Sequence, residues 1–287
     1  MRLSEYTSVM PIPEFVASYV TLHGASFTEP ARNTFAQRAR AARDAGYAGI
    51  GSHLTDTFDF EGGAAAITET AKALGIALAE TEFLPGWALV DNVDVPTEAE
   101  LRVAELGRVA GIRHVTAGDF AAGPLDIGLA AANLATIAAR LKPHGVSLAI
   151  EPFAYAAISN YEIALDIVRR SGASNVGIMI DAWQFYNTGA DLALLDDMDL
   201  AEITAVQLDD GPRVFNDFQA LSRSTRLLPG DGDLDVLGLA RKLITMGFEG
   251  PWSVEVHYPE LREMSVEKAA QLTYDSCLAL VQAAAGA

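Results

Sequence analysis

Short apolar runs alternate along this chain with longer amphipathic stretches, and the alternation repeats eight times. Phe15 to Leu22 is apolar and β-branched and predicts a first strand ending at His23-Gly24. Pro30 to Ala45 has helical spacing and is stopped by Gly46, and Tyr47 to His53 reads as the second strand. Gly62 to Leu74 predicts a helix with Gly75 as its stop, and Ile76 to Leu84 the third strand. Thr97 caps a Glu-rich helix to Ala110, before Gly111 and a short fourth strand, Arg113 to Ala117. Asp126 to Lys142 is helical, and Val146 to Glu151 the fifth strand. Asn160 to Arg170, Val176 to Asp181 and Leu192 to Met198 continue as helix, strand and helix. Ile203 to Leu208 is strand seven, Asp235 to Met246 a helix, Trp252 to His257 strand eight, and Val266 to Ala284 the closing helix.

Eight strands each followed by a helix predict an α/β protein, a (β/α)8 TIM barrel in one domain spanning residues 1–287. A doubly wound open sheet is the main competitor. It lacks its glycine-rich dinucleotide fingerprint after the first strand. Residues 209–233 form the longest irregular stretch, and such loops tend to carry function.

Composition narrows the function classes. Half the residues are hydrophobic, enough for a large core. The net charge of −18 argues against nucleic acid as a partner. No apolar run reaches membrane-spanning length and no basic-then-apolar leader opens the chain, so the expected compartment is the cytoplasm. The single cysteine, Cys277, excludes an intrachain disulfide and reads as a packed residue of the last helix. The alanine-rich outer helices leave room for homo-oligomer contacts.

In a barrel, chemistry gathers where strands end. The polar residues at those ends are His23, His53, Glu80, Glu82, Glu151, Asp181, Gln207, Asp209, Ser253, Glu255 and His257. Four of them, Glu151, Asp181, Gln207 and Glu255, close buried-type runs and are expected to converge. Three carboxylates crowd together only if protonated or neutralised by a cation, which predicts a divalent metal site. Oxygen ligation favours Mn2+ or Mg2+. Such an ion would polarise a carbonyl and stabilise an enediolate, with Glu151 and Glu255 as ligands and proton shuttles and His257 as an alternative base. Arg213 is a candidate donor to substrate oxygens. Trp183, with Trp87, Phe185 and Tyr186, could wall a sugar-sized pocket, and His23, His53 and Glu82 are further candidate substrate contacts. The expected ligand is a small carbohydrate-like molecule without phosphate.

The ordered set Ala149-Ile-Glu151-Pro152, Met179-Ile-Asp181-Ala-Trp183, Val206-Gln-Leu-Asp-Asp-Gly211, Leu228-Pro-Gly-Asp-Gly232 and Ser253-Val-Glu255 resembles the sugar phosphate isomerase/epimerase superfamily of xylose isomerase-like TIM barrels. The resemblance covers nearly the whole chain. In ketose 3-epimerases of that group the ligands are Glu, Asp, His and Glu, and the two glutamates move the proton. Glu151, Asp181 and Glu255 match. Gln207 stands at the histidine position, Gln184 where a substrate-binding histidine stands, Arg213 at a substrate-binding arginine, and Ala157 at a further glutamate. The glutamine on strand seven also resembles some dehydroshikimate dehydratases; inosose dehydratases and C-glycoside-cleaving lyases share the architecture. The resemblance implies a metal-dependent sugar isomerase or epimerase, with a dehydratase or lyase on a keto sugar or cyclic keto-polyol as the alternative. A barrel that binds a sugar without turning it over is the non-enzymatic alternative.

Overall fold

The computed structural model describes residues 14–27 and 29–286. Eight parallel strands close into a barrel in chain order: β1 Phe15–Ala17, β2 Gly49–His53, β3 Ala77–Leu84, β4 His114–Ala117, β5 Ser147–Ile150, β6 Val176–Asp181, β7 Ile203–Leu208 and β8 Trp252–Val254. Closure is made by β1 against β8, with Phe15 opposite Trp252 and Ala17 opposite Val254.

The period of two along each strand sorts side chains between two environments. On β6, Ile178 and Ile180 join the main core between sheet and helices. Their neighbour Met179 meets Ala149 and Ala205 in a separate cluster, which fills the lumen. The same alternation puts Val206, Leu208, Trp252 and Val254 in the outer core. It therefore sends Asp181, Gln207, Ser253 and Glu255 inward, where Asp181 pairs in register with Gln207 and Gln207 with Ser253. The lumen is small, so one layer below the mouth it holds Glu80, whose Oε1 accepts from Ser253 Oγ at 2.6 Å.

Helices start and stop where local chemistry dictates. Thr34 and Gln37 form a reciprocal cap on the helix Phe35–Ala45, and Thr97, Asp126, Asn160 and Asp235 each accept a first-turn N–H from the helix that follows. Gly46 ends its helix at φ 110°, a left-handed conformation that a side chain would strain.

Three expectations are corrected. The run Phe15–Leu22 is strand only to Ala17; Tyr19–Leu22 is a helical turn and His23 is its C-cap. Leu192–Met198 forms only a 3-10 turn, Leu194–Asp197, and the helix after β6 is instead Ala182–Asn187. Strand eight ends at Val254, although Glu255 N–H still donates to Leu208 O at 3.0 Å. Among the described residues no helix is long and apolar enough to cross a membrane.

Candidate active site

A cavity of about 690 Å3 opens at the C-terminal ends of the strands. Its lining includes Glu151, Glu255, Gln184, Glu82, His53 and Arg226. Phe83, Phe120, Phe153 and Tyr155 supply an aromatic side, with Phe83 and Phe120 stacked at 4.5 Å. A polar floor beside stacked rings suits a compact ligand with one apolar face.

Arg226 organises the polar end. It is 3% exposed and its Nη1 donates to Asp209 Oδ2 at 2.8 Å and also to Asp181 Oδ2. Glu255 Oε1 lies 3.5 Å from Nη1, and Glu151 Oε1 3.7 Å from Nη2. One positive charge therefore faces four carboxylates. Carboxylates about 4 Å apart repel by about 4 kcal/mol each at an effective dielectric of about 20, so a single guanidinium cannot offset all four. Protonation takes up part of the difference. Burial, opposed by Arg226 and by a hydrogen bond with Gln207, pushes the Glu255 carboxyl up to about 8. Burial and the neighbouring Asp181 and Glu255 push Glu151 well above the usual range; burial and Asp181 do the same to Asp209.

Several buried oxygens still lack a hydrogen-bond partner: Glu151 Oε1, Gln207 Oε1 and Glu255 Oε2. Both polar atoms of the Gln184 amide are also unpartnered. Asp181 divides its carboxylate, Oδ1 capping the helix Ala182–Asn187 through Gln184 N–H at 2.7 Å and Oδ2 facing Arg226. The acceptor-rich, donor-poor set fits an oxygen-seeking cation. Among the described residues no three His, Cys, Asp or Glu side chains stand as a ready cage for an ion. Arg226 occupies the space between them.

The other residues singled out in the sequence fall in different places. Glu82 lines the cavity, and burial with Glu255 and Glu80 beside it raises its pKa. His53 lines it too, its Nδ1 engaged by Thr55 Oγ1 at 2.7 Å. Trp183 is fully buried behind Arg226, whose Cζ lies 5.9 Å from its ring, and its backbone N–H donates to Asp209 Oδ1 at 2.8 Å. Trp87, Phe185 and Tyr186 are core residues rather than pocket walls. Arg213 is exposed, is not among the cavity lining and stacks over Tyr186 at 5.1 Å. His23 is buried outside the cavity lining, with Nδ1 accepting from Ala25 N–H at 3.3 Å. His257 is also outside it: its ring nitrogens face Arg223 O at 2.9 Å and Ala25 O at 3.1 Å. Burial and Arg262 hold its pKa at about 3, so the ring is neutral.

Sequence reasoning passed over Arg226, Arg38 and the clamp around Asp210. Arg38 lines the cavity, is 1% exposed and pairs with Asp56 at 2.6 Å. Asp210 accepts N–H groups of Gly211, Gly230 and Leu234 at 2.7, 2.9 and 3.1 Å, which folds the loop back on itself. Gly232 is needed there because a Cβ would lie 2.3 Å from Asp210 Oδ1. The signal was the PGDG segment, which requires something for its backbone to approach.

The model of the xylose isomerase-like TIM barrel family matches residues 39–276. A 3-dehydroshikimate dehydratase from Pseudomonas aeruginosa is 30% identical over 129 residues, 45% of this chain and 20% of that protein. An inosose isomerase from Halalkalibacterium halodurans is 28% identical over 144 residues, 49% of this chain and 50% of that one. The chain thus matches half or less of the length of these curated relatives. The solved structure of the IOLI protein with a bound zinc atom superposes with a TM-score of 0.77 at 19% identity, covering 93% of this chain and 98% of that one. The barrel, the strand-end carboxylates and the family match over most of the sequence agree: this chain belongs to the xylose isomerase-like TIM barrel family.

Proposed function

We propose that this chain is a divalent-metal-dependent isomerase or epimerase that moves a proton next to the carbonyl of a carbohydrate-like substrate. The carrying observation is that Glu151 and Glu255, on β5 and β8 ends, line one cavity and each keeps a buried oxygen without a hydrogen-bond partner. Glu151, Asp181, Gln207 and Glu255 would hold the ion, Mn2+ or Mg2+ by the all-oxygen donor set. When bound, such an ion supplies Lewis-acid polarisation of the carbonyl and offsets the excess negative charge.

The remaining work falls to the chain. In the metal-free chain the Glu255 carboxyl is pushed up to about 8 and Glu151 well above its usual range. An ion beside them would favour the carboxylates, leaving two bases on separate strands to take and return the proton. The free amide of Gln184 can both donate to and accept from substrate oxygens. Phe83, Phe120 and Phe153 shield one side of the cavity from water. This lowers the dielectric around the moving proton.

A dehydratase or lyase is the second reading, favoured by one residue. Gln207, rather than an imidazole, faces Glu255, and glutamine at that place resembles the dehydratase branch. Both reactions begin with the same proton abstraction and differ in whether a β-substituent then leaves. The test is incubation of the Mn2+-supplemented protein in D2O with a panel of keto sugars, inososes and cyclic keto-acids, followed by NMR. Deuterium next to the carbonyl without loss of water is the expected result. An enone or released leaving group would move the assignment to the lyase, and no exchange with any compound would overturn both.

A further inference from the structure

We propose that the Arg226 guanidinium is a resident counter-cation that shares Asp181 with the divalent ion. It holds Asp181 while the ion is absent, and withdraws onto Asp209 when the ion arrives. The inference rests on the metal reading above.

Atom accounting leads there. Asp181 Oδ1 already accepts the Gln184 N–H, so Oδ2, the oxygen on the side of Arg226 and the two glutamates, is the one better placed to meet an ion. That oxygen is held by Arg226 Nη1. If Asp181 is a ligand, ion and guanidinium meet at one oxygen, and two cations that close repel. Asp209 provides the alternative seat: its Oδ1 is fixed by the Trp183 backbone N–H, and its Oδ2 already accepts from the same Nη1 at 2.8 Å. A small pivot therefore exchanges a bridge between two aspartates for a pair with one.

The backbone cannot make that adjustment. Arg226 N–H and C=O are both bonded to His257, at 3.2 and 2.8 Å, and Leu227 is paired in the same way with Asp210, at 2.8 and 3.0 Å. Nε is also tied, donating to Ser222 O at 2.9 Å. The freedom left is a tilt of the whole planar guanidinium about its Nε–H bond to Ser222 O. Its contacts to Glu151 and Glu255, at 3.7 and 3.5 Å, are long and leave oxygens of both without a hydrogen-bond partner. The head is thus firmly held on the aspartate side and loosely on the glutamate side. An ion seated among Glu151, Gln207 and Glu255 would repel it toward Asp209. Because Arg226 lines the cavity, the edge released from Asp181 then offers N–H donors to an anionic or keto oxygen of the substrate.

Calorimetric titration of Mn2+ into wild type and Arg226→Gln separates the possibilities. Roughly tenfold tighter binding in the variant, with a lower melting temperature before the ion is added, is the expected result. Equal or weaker binding in the variant overturns the competition while leaving the metal reading intact. No binding to either protein overturns both. Should Arg226→Gln fail to fold, 15N-arginine-labelled wild type is titrated with diamagnetic Mg2+ or Zn2+. The Arg226 guanidinium resonances, assigned by their loss in Arg226→Lys, are expected to shift at saturation. Resonances that stay in place while the ion binds overturn the proposal.

Discussion

Arg226 and His257 exchange both backbone hydrogen bonds, Arg226 N–H to His257 O at 3.2 Å and His257 N–H to Arg226 O at 2.8 Å. The pairing explains why His257 is buried beside the site without entering it. Its neutral ring donates from one nitrogen, Nε2 to Ala25 O, while Nδ1 faces Arg262 Nη2, which also holds Arg223 O in the loop that delivers Arg226. His257→Ala should therefore destabilise the fold by about 1–3 kcal/mol, since a buried polar network is broken. The pH profile of any exchange activity should keep its shape. Urea unfolding and a pH-rate series read the two effects; a profile that loses a limb would make His257 a proton carrier after all.

Glu255→Gln removes a carboxyl held at about 8 in the folded chain against an ordinary 4.5. A raised carboxyl contributes stability that is full below its unfolded pKa and lost as pH rises through the folded one. The metal-free variant should accordingly gain on metal-free wild type between pH 5 and pH 8. Exchange activity should fall by on the order of 10²-fold or more, as for loss of a general acid or base. Thermal melts with chelator present and D2O exchange measure the two sides.

Glu80 gives a cleaner titration, lower in the lumen. Burial, against opposing contributions from Ser253 and Arg113, raises it to about 7, while burial and Arg113 lower His114 to about 4. Their 3.5 Å contact is thus neutral between those values and is not an ion pair. Wild type should lose stability as pH climbs from 4.5 through 7, and Glu80→Gln should lose less. The difference amounts to about 3 kcal/mol by pH 8. Parallel denaturation curves for the two proteins would disprove the assignment.

Asp210→Ala deletes three backbone hydrogen bonds that shape the loop carrying Arg226. A cost of about 2–4 kcal/mol is expected, with weaker ion binding, whereas Asp210→Asn retains an acceptor and should be milder. Equal unfolding midpoints for the alanine and asparagine variants would show that the carboxylate is not the clamp.

The parts legible in the sequence were those with a period. Glu151, Asp181, Gln207 and Glu255 followed runs whose alternation fixes which side faces the lumen. Arg226 had no such signal. It lies in an irregular segment, and its position comes from its own bridge to His257 and that of Leu227 to Asp210. Arg213 stood at a promising distance from Gln207, but its side chain stacks over Tyr186 and does not line the cavity. Alternation carried past Val254 places His257 on the same inward face as Glu255, near the mouth. The strand ends before it, and an antiparallel bridge to Arg226 replaces the parallel ladder.

The hydrogen bond from Ser253 to Glu80 joins positions 173 residues apart and crosses from β8 to β3. Its consequence is one of coupling. The lumen carboxyl has this hydroxyl as a partner only when β8 is docked, so closing the barrel and satisfying Glu80 are one event. Without β8 the edges of β1 and β7 would stand unpaired and open to pairing with other chains.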